Sequence, residues 1–244
     1  MTRRGRRRMI VVGTAGALGL GAPFWAPPLL GTLPVFRVEQ VEVTGNVFVQ
    51  RDDVLQLAAI GREASVWNDG SVWEARVRSH ALVREARVRR VGMRGIEIRV
   101  TEVEPLALVM AETLVPVDEE GRVLPLDPSI WGLNLPVLAG GAAVEDGRVS
   151  DVRARGALRA LAALKEYDDA FFGQISELWS RDAESLAIEL IESGRTGRVL
   201  LPAADAVRGL RRVELALGHA ADSAVSVADA RFDGQVVLRA RERG

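Results

Sequence analysis

The chain has 244 residues, 48% of them hydrophobic and 27% charged, which fits one or two globular domains and excludes both a wholly disordered chain and a multi-span membrane protein. It contains no cysteine and only two histidines, His80 and His219, so disulfides, thiolate chemistry, Cys-based zinc, iron–sulfur clusters and ordinary imidazole metal sites or triads are ruled out. The net charge of −1 hides an asymmetry: Arg3, Arg4, Arg6, Arg7 and Arg8 carry five positive charges, and removing them leaves −6 on residues 9–244, which is not the body of a nucleic-acid-binding protein.

From Met9 to Phe36 no residue is charged, and a helix of that length, at about 1.5 Å per residue, exceeds a hydrocarbon core roughly 30 Å thick. The sequence predicts a basic cytoplasmic tail at 1–8 and a single transmembrane helix at 9–33, flanked by Arg6, Arg7 and Arg8 on the near side and Trp25 on the far side. Pro23, Pro27 and Pro28 limit the regular helix to about Met9–Ala22 and make the remainder an exit strap. The arginines place the N-terminus in the cytoplasm and everything from Arg37 onward outside it. A cleaved secretory signal, hinted at by Arg7-Arg8, is the rival and exports the same body; Pro27 directly after Ala26 favours the retained anchor. Gly13, Ala17 and Gly21 either let a second membrane helix approach or are ordinary glycine-rich membrane sequence.

Phe36 and Val38 alternate with charged residues and Val41 and Val43 continue in the opposite phase, so a strand here requires a bulge near Glu39 and Gln40. After the turn Thr44-Gly45-Asn46, Asp52 and Asp53 open a helix carrying Val54, Leu55, Leu57 and Ala58, stopped by Gly61. A second helix carries Val72, Trp73, Ala75 and Val77 beyond the Asn68–Ser71 turn. Val83–Val91 and Ile96–Val103 form a hairpin around Gly92–Gly95, with Ile96, Ile98 and Val100 on one face and Glu97, Arg99 and Thr101 on the other. The order is β-α-α-β-β, and Pro105 marks its end.

The run from Phe36 to Asn46, the two helices, and Ile96 to Pro105 together resemble a POTRA domain of the bacterial FtsQ/DivIB cell-division family. Further along, Val117-Asp118-Glu119-Glu120-Gly121, Leu135-Pro136-Val137-Leu138-Ala139-Gly140 and Asp229-Ala230-Arg231-Phe232 resemble later segments of that family. The chain departs from the family in its short basic tail and in Ala230 and Phe232, where Leu and Tyr are frequent. The resemblance implies an α+β fold with an N-terminal transmembrane helix, a POTRA domain at 34–104, and a mainly antiparallel β domain with two helices at 105–244.

The residues of the second part agree. Leu106–Met110, Thr113–Val117 and Val123–Leu126 are short apolar runs split by turn residues; Leu158, Leu161, Ala162 and Leu164 mark a helix. Ile175–Trp179, Leu186–Ile191 and Val199–Leu201 alternate as strands, the last two across the Ser193–Gly197 turn. Pro202 starts a helix carrying Val207, Leu210, Val213 and Leu217. Val225–Phe232 and Gln235–Ala240 form a terminal hairpin across Asp233-Gly234, ahead of a solvated tail from Arg241 to Gly244.

No catalytic constellation stands out. Asp118, Glu119 and Glu120 suit a turn, as do Glu102 and Glu104 a solvated position, and neither histidine has ligand spacing. No phosphate loop is present, and Gly140-Gly141 opens none. No cofactor, metal, small-molecule substrate or nucleic acid is therefore expected, and the protein is read as a non-enzyme. Eight arginines between Arg76 and Arg99, against Glu85 and Glu97, give the first module a basic face that is a solvated surface, a dock for an acidic segment, or a contact for anionic headgroups. Trp67, Trp73, Trp131 and Trp179 read as packing residues.

A last strand lies at a sheet edge and offers unpaired backbone groups to a partner strand. Val236, Val237 and Leu238 would then supply side-chain pockets, with Arg231 and Phe232 on the preceding strand as charged and aromatic anchors. The resemblance implies FtsB–FtsL-like partners at this edge, with FtsK-, FtsW- and FtsI-like proteins as further candidates. It also implies a single-pass protein of the inner membrane, acting as a scaffold at the division septum. The competing expectations are a POTRA-containing outer-membrane assembly or secretion factor and an exported enzyme of unknown chemistry.

Overall fold

The computed structural model describes residues 30–140, 142–180, 182, 184–191, 197–219 and 225–240. Nearly all of the expected span 9–33, with Arg6, Arg7, Arg8 and Trp25, lies outside the described residues, as do most of the 193–197 turn and the tail after 240. Among the described residues no helix is long and apolar enough to cross a membrane. The chain divides into two compact units, one ending at Val103 and the other beginning at Glu104.

The first unit runs β1 (Gln40–Thr44), α1 (Arg51–Ala58), α2 (Ser71–Val77), β2 (Val83–Val91) and β3 (Gly95–Glu102). The sheet order is β1-β3-β2, with β1 parallel to β3 and β2 antiparallel to it. Asp52 and Asp53 sit in the first turn of α1, where the helix dipole favours carboxylates. Val54, Ala58, Trp73 and Val77 from the helices are buried together with Ala86, Ile96, Ile98 and Val100 from the sheet.

Two expectations change here. The strand does not begin at Phe36: Pro34–Phe36 is a 3₁₀ turn, the Val66 N–H donates to the Phe36 carbonyl and the Val38 N–H to that of Ala64. Phe36 to Val38 thus bond the 64–66 segment while β1 bonds β3, so two separate pairings, not a bulge, explain the opposite phases of the apolar residues. Glu97 does lie on the face opposite Ile96 and Ile98, yet it is only 3% exposed. Thr44 Oγ1 donates to it at 2.9 Å, and Arg89 and Arg99 close over it as ion pairs.

The second unit contains β4 (Ala107–Met110), β5 (Leu114–Val117), α3 (Pro128–Trp131), β6 (Val137–Leu138), β7 (Val144–Glu145), β8 (Arg148–Val149), α4 (Val152–Tyr167), α5 (Asp169–Phe172), β9 (Ile175–Ser180), β10 (Ser185–Leu190), β11 (Arg198–Pro202), α6 (Ala206–His219), β12 (Val225–Asp229) and β13 (Val237–Ala240). Its main sheet has the order β13-β12-β11-β10-β9-β6-β4-β5. Four neighbouring pairs are antiparallel; β11–β12, β9–β6 and β6–β4 are parallel.

The two long helices α4 and α6 pack against this sheet. Asp151 caps α4 by accepting the Arg153 and Ala154 N–H groups, and Ala157, Leu158, Leu161 and Leu164 form its buried stripe at helical spacing. Leu210 and Val213 do the same for α6. These stripes join Val109, Leu178, Leu186, Ile188, Val199, Leu201 and Ala228 in one core.

Several boundaries differ from the sequence reading. Val123–Leu126 forms no strand, because Pro125 lacks a donor and Val123 makes only a single bridge to Val117. Pro202 ends β11, and a 3₁₀ turn, Ala203–Asp205, precedes α6. Two single-turn helices, α3 and α5, accompany the two long ones.

Candidate partner-binding edge

The last hairpin is present, with β12 antiparallel to β13, and β13 is the outer strand of the sheet. Which backbone groups it offers follows from the ladder. The Gly197 N–H donates to the Ser226 carbonyl and the Ala230 N–H to that of Leu200, so even-numbered residues of β12 face β11. Val227 and Asp229 then face β13, opposite Arg239 and Val237. By alternation, the Leu238 N–H and C=O point away from β12, toward the open edge.

Side chains alternate as well. Val236 and Leu238 pack against the core of their own sheet, while Val237 is 38% exposed. Of the three residues expected to supply pockets, only Val237 presents its side chain outward. Arg231 and Phe232 are not on the preceding strand, which ends at Asp229; they lie in the loop that follows it. Arg231 is also not a free cation. Its guanidinium folds back on Asp229, Nε to Oδ1 at 2.9 Å and Nη2 to Oδ2 at 2.7 Å. Asp229 is buried, and this pair of hydrogen bonds holds its carboxyl below the usual aspartate range. Phe232 remains 49% exposed beside the Arg231 guanidinium.

Arg212 on α6 escaped the sequence reading. Its guanidinium donates to the Phe232 carbonyl at 2.8 Å and the Ala230 carbonyl at 2.7 Å, fixing the path of the loop between β12 and β13. A separation of about twenty positions across a helix and a strand leaves no periodic signal by which this contact could be read from sequence.

The opposite edge of the sheet is β5, and it is less open. Pro116 has no N–H, and its carbonyl already accepts the Leu124 N–H at 2.8 Å. An apolar groove of about 710 Å³ runs beside it, lined by Leu114, Val115, Leu124 and Leu126 among others.

The acidic and imidazole residues weighed for chemistry hold structure together. Asp118 is buried and accepts the Glu120 and Arg122 N–H groups at 2.9 and 2.8 Å, besides the Arg122 side chain. His80 Nδ1 accepts the Leu82 N–H at 3.2 Å. Among the described residues no group of three acidic or imidazole side chains could hold a metal ion. The arginines between Arg76 and Arg99 are largely engaged within the first unit. Arg76 donates to the Ala58 carbonyl, Arg87 pairs with Glu85, Arg89 and Arg99 with Glu97, Arg94 with Glu39, and Arg90 lies over the Trp67 ring at 3.8 Å. These contacts tie most of the charge of that surface into the structure of the unit itself. Trp73 is buried as expected, whereas Trp131 is exposed.

Comparison with known proteins covers both units. Residues 36–102 match the family model for the POTRA domain, FtsQ-type, and residues 107–231 that for cell division protein FtsQ/DivIB, C-terminal. A cell division protein FtsQ of Myxococcus fulvus is 30% identical over 197 residues, 76% of this chain and 67% of that protein. Another, of Salinibacter ruber, is 30% identical over 252 residues, 97% of this chain and 95% of that protein. The solved extracytoplasmic domain of DivIB from Geobacillus stearothermophilus aligns with 44% of this chain and 85% of its own at 23% identity, with a TM-score of 0.30, too low to carry an argument.

Proposed function

The chain belongs to the FtsQ/DivIB family of cell division proteins, and from that premise we propose that it is a single-pass membrane protein whose exported units gather other division proteins at the septum by binding, without catalysis. Its N-terminus lies in the cytoplasm and its body outside the inner membrane, as the five arginines and the uncharged Met9–Phe36 run support. The partner at the last strand is an FtsB–FtsL-like pair; FtsK-, FtsW- and FtsI-like proteins are candidates for the other surfaces.

The observation that carries this reading is the outward-facing Leu238 backbone on an outermost strand, on a sheet whose other edge is blunted by Pro116. The internal use of Asp118, Glu97 and Asp229 in structural hydrogen bonds supports binding over acid–base chemistry. Matches of both units to division-type models count against an outer-membrane assembly factor.

The test is capture of an FtsB–FtsL-like coiled-coil pair from the same organism by the full chain in detergent. Leu238→Pro removes the outward N–H and some packing; Leu238→Ala removes the packing alone. The proline variant is expected to bind at least about tenfold more weakly than the alanine variant. Equal capture by the two would refute strand addition at β13. Proline at Val237 is a poorer probe, because the Val237 N–H faces β12 and its loss would unzip the hairpin itself.

A further inference from the structure

Single exposed apolar side chains are ordinary on a protein surface, but four of them converge at one end of the first unit. Leu33 and Val35 are exposed in the segment that enters the unit, and Val91 and Met93 at the tip of the β2–β3 hairpin, Met93 to 61%. The two segments are tied together. Arg94 Nε donates to the Val35 carbonyl at 3.2 Å, and the Arg94 carbonyl accepts the Glu39 and Gln40 N–H groups at 2.8 and 3.2 Å. Beside them Phe36 meets Trp67 edge-on at 6.0 Å between ring centres, with the Arg90 guanidinium stacked on Trp67.

This end also continues directly into the uncharged run that begins at Met9. Of its charged groups, Arg37 is paired with Glu63 and Arg94 with Glu39, and Arg90 over the Trp67 ring adds a further cation. Exposed apolar side chains ringed by arginines suit a membrane–water boundary, where the apolar parts lie at headgroup depth and a guanidinium can meet phosphate. The other end of the same sheet differs. β1 and β3 run parallel away from the hairpin tip, so Val47, 68% exposed, follows the far end of β1, where Glu102 accepts the Phe48 and Val49 N–H groups at 2.7 and 2.9 Å.

We propose that the hairpin tip Val91–Arg94 and the entry segment Leu33–Phe36 form one contact seated in the phospholipid headgroup layer, holding the first unit against the bilayer by its hairpin end. The inference rests on the single-span reading above, which brings the membrane to this end of the unit. It adds that the unit is fixed at the surface by its own side chains, not only tethered to it.

The absence of native cysteine makes the test clean. Met93→Cys and Val47→Cys, both at exposed positions, are labelled with an environment-sensitive fluorophore in the full chain. The labelled chains are reconstituted into vesicles of phosphatidylethanolamine and phosphatidylglycerol containing a shallow spin-labelled lipid as quencher. Flotation with the vesicles is expected, with quenching at position 93 about threefold or more above that at position 47, since an interfacial group sits roughly 5–10 Å into the headgroup boundary. A chain that floats with equal quenching at the two positions overturns the contact while leaving the span intact. A chain that does not float overturns the span and the contact with it.

Discussion

Glu97 shows how much a single carboxylate can organise. It lies in the middle strand of the first sheet, buried, with Thr44 donating to it and Arg89 and Arg99 closing over it. The hydrogen bond from Arg89 is the chief cause holding its carboxyl below the usual glutamate range. A carboxyl whose folded pKa is depressed contributes stability that is fully present above its unfolded pKa and lost as the pH falls through the folded one. The urea midpoint of the first unit is therefore expected to drop on acidification below the usual glutamate range, and the acid-sensitive part of that drop to shrink in Glu97→Gln. An equal acid response in the two proteins would show that Glu97 does not carry the acid sensitivity. Gly45 makes a backbone argument of the same kind. Its φ is +78°, and a Cβ there would lie 2.3 Å from the Val100 carbonyl oxygen. Gly45→Ala is expected to cost about 2 kcal/mol or more in urea unfolding, from left-handed strain plus the displaced strand. At this scale the sequence was legible in kind and not in use. Asp229-Ala230-Arg231-Phe232 stood out as a segment, but Arg231, read as a charged anchor for a partner, closes instead on Asp229 at the end of β12, a contact that only the turn after the strand determines.

Among the elements, those with several periods were legible and those without were not. The amphipathic stripes of α1, α4 and α6 and the alternation of β2, β3, β9 and β10 appear in the chain where the structure has them. β6, β7 and β8 are two residues each, too short for any period; β6 coincides with the Leu135–Gly140 stretch, noticed for its likeness to a family segment. The parallel pairings of β6 and β12 are tertiary choices that alternation does not encode. The edge strand was legible in position, since the last hairpin of a chain tends to lie outermost, but not in orientation. Val236 and Leu238 turn inward to the core, which leaves Val237 and Phe232 as the apolar side chains a partner can meet. Phe232→Ala is expected to weaken capture of the FtsB–FtsL-like pair about tenfold with no change in thermal unfolding, because an exposed aromatic that anchors an interface carries little folding energy. Undiminished capture would take Phe232 out of the interface and leave the backbone as its main determinant.

For the whole molecule, the family models at 36–102 and 107–231 each fall within one of the two units, with POTRA and division-type C-terminal parts in that order. On the proposed reading the units do different work: the first would sit against the bilayer by its hairpin end, and the second would offer an open strand to partners. Strand addition at β13 is read out by residue-resolved amide hydrogen exchange on the full chain with and without the FtsB–FtsL-like pair. The outward Leu238 amide on β13 is expected to exchange at least about tenfold more slowly in the complex, as an amide that gains a strand partner does, while Leu114 on the opposite edge strand β5 keeps its rate. An unchanged Leu238 in a complex that protects Leu114 instead would contradict it.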